Sequence, residues 1–328
     1  MRVCMNFWHL KRTNGMFFYG CDYANIISSS GRILARHALY DAFTGTKFEQ
    51  AVYPCGFFDF IAHILKAVFS GELLYTPTYH PIPFISKQVV VCHDSYPFVG
   101  LRGTLKKILL KLSLATSRCK FGYINHGDSL RFVSGMVTDA SRRVYLPNLF
   151  PAPAPIGRPA SAKKVIGLLG TDSTKKNYAY LFSSVCAKGL SNEFKFLIYG
   201  YPTPYFEAIR VQFPEIDIQI VRSDECDIPG FLSQIHAVAS VATMEGFGRP
   251  IAFALACGVP CYLIDCDVFR EFFQGAAQFF SDVSSLVTKL YQDDIEAFGN
   301  GQHASFSIAA ANADSAFKAG IKVIQGMA

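Results

Sequence analysis

Between Met244 and Cys266 the chain reads MEGFGRPIAFALACGVPCYLIDC. This is a loop, a helix and a strand in succession, and repetition of that order builds a parallel sheet. Glu245 supplies a carboxylate, and Gly246-Phe247-Gly248 lets the backbone pass close to a ligand. Pro250 suits the first helical position, where a missing N–H costs nothing. Ile251 to Ala256 are apolar on every side, so their helix is buried, and Gly258 stops it. After Pro260, Cys261 to Ile264 reads as a short buried strand with Asp265 at its end. The helix N-terminus offers free N–H groups and a positive dipole, an anion site beside a carboxylate. A ligand anionic at one end and hydroxyl-rich at the other suits it, and a nucleotide sugar is such a ligand.

The rest of the chain repeats this pattern. With 328 residues, 51% of them hydrophobic, it is long enough for two packed domains. Arg2 to Phe7 reads as a first strand, followed by a loop carrying Gly15 and a helical stretch around Tyr23 to Leu39, the opening of a doubly wound domain. No Gly-x-Gly-x-x-Gly follows it, which disfavours a nicotinamide dinucleotide fold, and no phosphate-binding lysine loop of nucleoside triphosphatases occurs anywhere. Phe57 to Phe69 has helical spacing, and Leu73 to Tyr75 and Gln88 to Cys92 read as strands. His93 and Asp94 follow the second of these, at the carboxyl end where such sheets bind ligands. Phe121 to His126 and Val144 to Asn148 complete the first half. Pro151, Pro153, Pro155 and Pro159 then make a stiff linker.

Beyond the linker, strands at Lys164–Leu169, Phe194–Tyr199, Ile216–Val221 and Val238–Thr243 alternate with helices, and a last helix covers Ile308 to Met327. The expected organisation is a first Rossmann-like domain over 1–155, a second over 160–305, and a terminal helix, 306–328. Two such domains place a cleft between them.

No apolar run reaches the roughly 18 residues that cross a bilayer, and the N-terminus is a poor secretory signal. The ten cysteines form no Cys-x-x-Cys pair, and Cys257 and Cys261 fall in apolar runs where cysteine acts as a small hydrophobe. A reducing, cytoplasmic setting follows. The net charge of +6 fits an anionic substrate or membrane surface. Residues 101–120 form a basic amphipathic helix, with Arg102, Lys106, Lys107 and Lys111 on one face and Leu101, Leu105, Ile108, Leu109 and Leu112 on the other. Such a helix fits either a domain helix with a solvated basic face or peripheral contact with the anionic inner face of a membrane, and nucleic acid is not an expected partner.

Glu245-Gly-Phe-Gly-Arg-Pro250 followed by Ala254-Leu-Ala-Cys-Gly-Val-Pro260 resembles the signature of the group 1 glycosyltransferases, retaining enzymes of the two-Rossmann-domain (GT-B) type. The resemblance covers about Lys164 to Phe280 well and the first domain in pieces: the His93 segment and the Leu-Pro-Asn exit at Asn148. In that family a second Glu stands eight residues after the first, and here the position is Phe253.

The resemblance implies a metal-independent sugar transfer from a UDP- or GDP-linked donor to a saccharide or lipid-linked acceptor, with retention, in bacterial surface polysaccharide or glycolipid synthesis. It needs no cofactor. Glu245 takes donor-sugar hydroxyls beside the amides of Gly246, Phe247 and Gly248, at the helix begun by Pro250. Lys176, with Lys175 in reserve, holds the diphosphate. Thr171 stands where the family often has an Arg, and Arg249 is the replacement cation. His93 faces the transferred sugar, and the acceptor enters near it and Gly15. Two alternatives remain: a catalytically silent homologue serving as partner or scaffold, favoured by Phe253 and Thr171, and a nucleotide-sugar epimerase on the same fold.

Overall fold

The computed structural model describes residues 2–27, 31–152, 156, 157, 159, 161, 163–171 and 174–327, with the backbone alone described over 296–304. The linker prolines Pro153 and Pro155 lie outside the described residues, as does the 172–173 part of the loop that carries Lys176. The chain divides into two compact units, Met1–Leu149 with Ala313–Ala328, and Phe150–Asn312.

The first unit runs β1 (Val3–Asn6), α1 (Gly15–Ile27), β2 (Arg32–Ala35), β3 (Val52–Pro54), α2 (Phe57–Phe69), β4 (Leu73–Thr76), β5 (Gln88–Cys92), α3 (Gly100–Ser117), β6 (Lys120–Tyr123), α4 (Asp128–Met136) and β7 (Arg143–Tyr145). The strands are parallel and ordered β3-β2-β1-β4-β5-β6-β7. The direction of winding reverses between β1 and β4, so the crevice outside their carboxyl ends is the expected ligand site of this sheet. β1, β4 and β5 are buried at every position, which explains their largely apolar character, and each has one buried polar residue at an end, Asn6, Thr76 and Gln88.

One part of the sequence reading is corrected here. The helix expected around Tyr23 to Leu39 ends at Ile27, Gly15 opens that helix instead of lying in a loop before it, and Arg32–Ala35 is a strand. Four apolar-rich residues read equally well as helix or strand when isolated. Pairing with β1, Met5 opposite Ile33 and Asn6 opposite Leu34, decides the matter.

α3 sits on the sheet through Leu110 and Leu114, which pack against Val90, Cys92 and Phe121. Leu101, Leu105, Ile108, Leu109 and Leu112 face outward instead. Among the described residues no helix is long and apolar enough to cross a membrane.

The second unit runs β8 (Lys164–Leu169), α5 (Tyr178–Ala187), β9 (Phe194–Gly200), α6 (Pro204–Gln212), β10 (Asp217–Arg222), α7 (Ile228–Leu232), β11 (Ala237–Ser240), α8 (Arg249–Ala256), β12 (Cys261–Ile264), α9 (Asp267–Phe273), β13 (Gln278–Phe280) and α10 (Val283–Gln292). Its parallel sheet is ordered β10-β9-β8-β11-β12-β13, with the reversal between β8 and β11. Both sheets thus wind in the doubly wound manner expected from the alternation of apolar runs. α11 (Ile295–Met327) follows and starts earlier than the Ile308 expected from sequence. The helix runs through Gly299 and Gly301, since a helical glycine costs only about 1 kcal/mol relative to alanine and does not by itself end a helix. The last part of α11 belongs to the first unit, where the Phe317 ring lies 4.6 Å from that of Tyr23.

Candidate functional site

β8 and β11 are neighbours at the reversal of the second sheet, so the loops leaving their carboxyl ends converge. After β8 the chain turns at Gly170 (φ +87°), and a short 3-10 turn, Thr174–Lys176, presents two lysines ahead of α5. After β11 the chain reaches Glu245. Lys176 Nζ donates to Glu245 Oε1 at 2.7 Å, and Lys175 Nζ lies 3.9 Å from Oε2. The three side chains are only 15–18% exposed, so they meet largely out of water. One carboxylate therefore holds two cations where a parallel sheet binds ligand.

α8 opens next to this cluster. Its N-cap is Gly248, held at φ +86°, a left-handed conformation that disfavours any side chain. A Cβ there would also come within 3.2 Å of the Phe269 ring. Arg249 takes the first helical position and Pro250 the second, one later than expected. The helix closes with Gly258 N–H on Leu255 O and Val259 N–H on Ala254 O, with Gly258 at φ +72°: a Schellman end. The anion-favouring terminus is thereby fixed at both ends of its helix.

The remaining sequence-selected residues differ in what they offer. The Phe247 ring is buried among Phe150, Phe272 and Phe273, so this residue presents only its main chain. The Thr171 hydroxyl donates to Tyr201 O at 2.6 Å and accepts from Tyr201 N–H at 3.1 Å, while Thr171 O accepts from Thr203. Thr171 is buried and ties the β8 loop to the one after β9, so its hydroxyl already has its partners. Phe253 is half-buried on α8, and Gly246 lies between Glu245 and the Phe247 anchor. Among the described residues no group of His, Cys, Asp or Glu side chains is arranged to hold a metal ion.

His93 and Gly15 belong to the first unit. His93 lines a cavity of about 470 Å³ together with His9, Lys11, Arg12, Asn14 and His80. The residues come from the carboxyl ends of β1, β4 and β5, again at the reversal of the sheet. His93 Nε2 lies 2.9 Å from Pro77 O, to which it donates as the Nε2–H tautomer, and its ring meets Tyr19 edge-on at 4.6 Å. Gly15 is the first residue of α1, whose N-terminus is capped by Asn14 Oδ1, accepting from the N–H groups of Met16 and Phe17.

The sequence reading missed the imidazole pair at the centre of this cavity. His9 and His80 stack face to face, with centroids 4.4 Å apart and planes 9° from parallel. Burial, then His80 and Arg36, pushes His9 down to about 3. Burial and then Lys106 push His80 down to about 4. Both rings are neutral near pH 7, which lets them stack without repulsion. Each follows a buried strand closely in sequence, and that placement was the available signal.

No protein-family model matches the chain, and no curated protein matches it by sequence. Solved structures match it by shape over nearly its whole length. HepE of Anabaena, in complex with UDP-glucose, superposes with a TM-score of 0.77 at 12% identity, covering 99% of this chain and 100% of that one. WaaG, a glycosyltransferase involved in lipopolysaccharide biosynthesis, gives 0.68 at 11%, covering 99% and 100%. Sucrose-phosphate synthase of Thermosynechococcus elongatus gives 0.66 at 11%, covering 99% and 98%. At these identities the likeness establishes the fold: two parallel α/β units of the kind found in GT-B glycosyltransferases.

Proposed function

We propose that the chain is a glycosyltransferase that moves a sugar from a nucleotide-sugar donor to a saccharide or lipid-linked acceptor. The observation that carries this reading is the Lys176–Glu245–Lys175 cluster at the sheet reversal of the second unit, beside the start of α8. Sugar transfer leaves negative charge on the departing diphosphate, and preorganised cations stabilise it as it develops. Before donor arrives, Glu245 keeps the two ammonium groups in place. A diphosphate takes over the ammonium groups, and the released carboxylate accepts sugar hydroxyls, two at once where geometry allows. Arg249, at the first position of α8, adds a third cation in the role that Thr171 cannot play.

The reading includes retention of configuration, by front-face displacement or a short-lived ion pair, and phosphate stabilisation by side chains and a helix N-terminus without a metal. HepE was crystallised with UDP-glucose, and on that likeness a UDP-linked donor is the first to try. The acceptor is taken up beside His93, in the first-unit cavity, and the product belongs to a bacterial surface polysaccharide or glycolipid. With Phe253 in place of the second acid, the ribose is held by other groups. Attachment to the cytoplasmic face of an anionic membrane through α3 accompanies this role: Leu101 is 94% exposed and Leu105, Leu109 and Leu112 more than half exposed, beside four cations and no acid within the helix.

Calorimetric titration with UDP, GDP and a panel of nucleotide sugars tests the proposal. Binding of a nucleotide sugar followed by its turnover with a saccharide acceptor is the expected result; binding of none overturns it. The internally committed Thr171 hydroxyl and Phe253 favour a second reading, a silent homologue that serves as scaffold. Binding of neither UDP, GDP nor any nucleotide sugar is its outcome.

A further inference from the structure

The amino ends of β3, β2, β1 and β4, opposite the end that carries His93, enclose a second cavity of about 570 Å³ in the first unit. That volume accommodates a small phosphorylated ligand. Arg2, Arg32, Lys47 and Lys66 line it, and its sole lining acid is Glu72. Glu72 is 4% exposed, and its Oε1 accepts from the Arg32 guanidinium at 2.6 Å. Its other oxygen, Oε2, is buried with no hydrogen-bond partner, and so is Nδ1 of His63, which lines the same cavity from α2. An unmet buried acceptor of this kind costs roughly 1–3 kcal/mol unless something donates to it. Tyr53 closes one side, its ring 5.2 Å from that of His63.

The cavity asks for two things at once. Three cations beyond the Arg32–Glu72 pair require negative charge, and a buried carboxylate oxygen requires a hydroxyl donor. Chloride and sulfate satisfy the first only, and neutral sugars the second only. We infer that this cavity is a binding site for a phosphate ester carrying neighbouring hydroxyls, with the phosphate on Arg2, Lys47 and Lys66 and a hydroxyl donating to Glu72 Oε2. Such a headgroup occurs free, as a sugar or glycerol phosphate, and on the surface of a membrane built from phosphatidylglycerol. The strands separate this site from the His93 cavity, so it is not part of the transfer site.

Calorimetry on the full chain with glucose 6-phosphate, inorganic phosphate and glucose reads the claim directly. Glucose 6-phosphate binds, inorganic phosphate binds at least about tenfold more weakly, and glucose does not bind. The double variant R2Q/K66Q changes two exposed side chains and retains the wild-type melting temperature, and its affinity for glucose 6-phosphate falls at least about tenfold. Flotation with phosphatidylglycerol against phosphatidylcholine vesicles separates the sources. If R2Q/K66Q weakens flotation with phosphatidylglycerol and glycerol 3-phosphate competes with it, the ligand is the lipid headgroup; if flotation is unchanged, it is the free phosphate ester. Absence of glucose 6-phosphate binding at millimolar concentration, or equal binding by R2Q/K66Q, overturns the inference.

Discussion

Lys176 and Glu245 stand 69 residues apart in sequence, and in the structure their charged atoms lie 2.7 Å apart with both side chains mostly out of water. The contact joins the loops after β8 and β11, and those strands are adjacent because the sheet reverses direction there. An ion pair in this setting is weak support for stability, since two charges have lost hydration to make it. Its value lies in holding charge ready for a ligand. Lys176→Ala and Glu245→Ala should each lower kcat/KM for the donor by about 10²- to 10³-fold, the range seen when one transition-state contact is removed. The double variant should be no worse than the poorer single one, because the residues act together. Full additivity in steady-state kinetics would show that they act separately.

Thr171→Val removes a buried hydroxyl that both donates to and accepts from Tyr201. A loss of about 1–3 kcal/mol is expected, seen as a lower denaturant midpoint. UDP affinity measured on the folded variant should stay unchanged, since the hydroxyl is already engaged within the protein.

Gly248→Ala tests the entry to α8. The left-handed φ of +86° and the Phe269 ring at 3.2 Å both oppose a methyl group. Destabilisation of about 1 kcal/mol or more should appear in thermal unfolding, accompanied by weaker nucleotide binding because the helix N-terminus must shift.

The stacked His9 and His80 give the fold a pH dependence of defined sign. Their folded values, about 3 and about 4, lie below the ordinary imidazole value of 6.5. The unfolded chain therefore takes up protons first as pH falls. The stabilising contribution is complete above about pH 6.5 and declines through the window down to about 4 for His80 and about 3 for His9. Urea midpoints measured across this range should fall with pH, and His80→Phe, which keeps a ring in the stack, should flatten the slope.

The outward leucines of α3 are matched by four cations, and this makes flotation a direct test. With Arg102, Lys106, Lys107 and Lys111 changed to Gln, binding to phosphatidylglycerol vesicles should drop by up to about 10³-fold while binding to phosphatidylcholine vesicles stays low, each cation near such a surface contributing about 1 kcal/mol. Unchanged flotation would assign α3 a purely internal role.

Legibility from sequence followed burial. Gln88–Cys92 and Cys261–Ile264 read at their observed limits because a short, mostly apolar run fits a strand buried on both faces. Arg32–Ala35 was absorbed into a helix because it has only four residues, and what makes it a strand is its neighbour β1. The convergence of Lys176 and Glu245 was expected from a resemblance, while periodicity alone gave only two polar loops. The His9–His80 stack and the Glu72 cavity depend on strands far apart in sequence becoming neighbours. The local sequence places His9 and His80 shortly after buried strands, and nothing local marks the Glu72 cavity.

The end of α11 has a bearing on how the protein is made. Phe317, Ile321 and Ile324 are buried in the first unit, with Phe317 against Tyr23 and Gly320 beside the Tyr145 carbonyl. A ribosome delivers these residues only after the entire second unit. The first unit thus waits through about half of synthesis with part of its apolar surface uncovered, exposed to chaperones and to aggregation, and the order of completion reverses the order of translation.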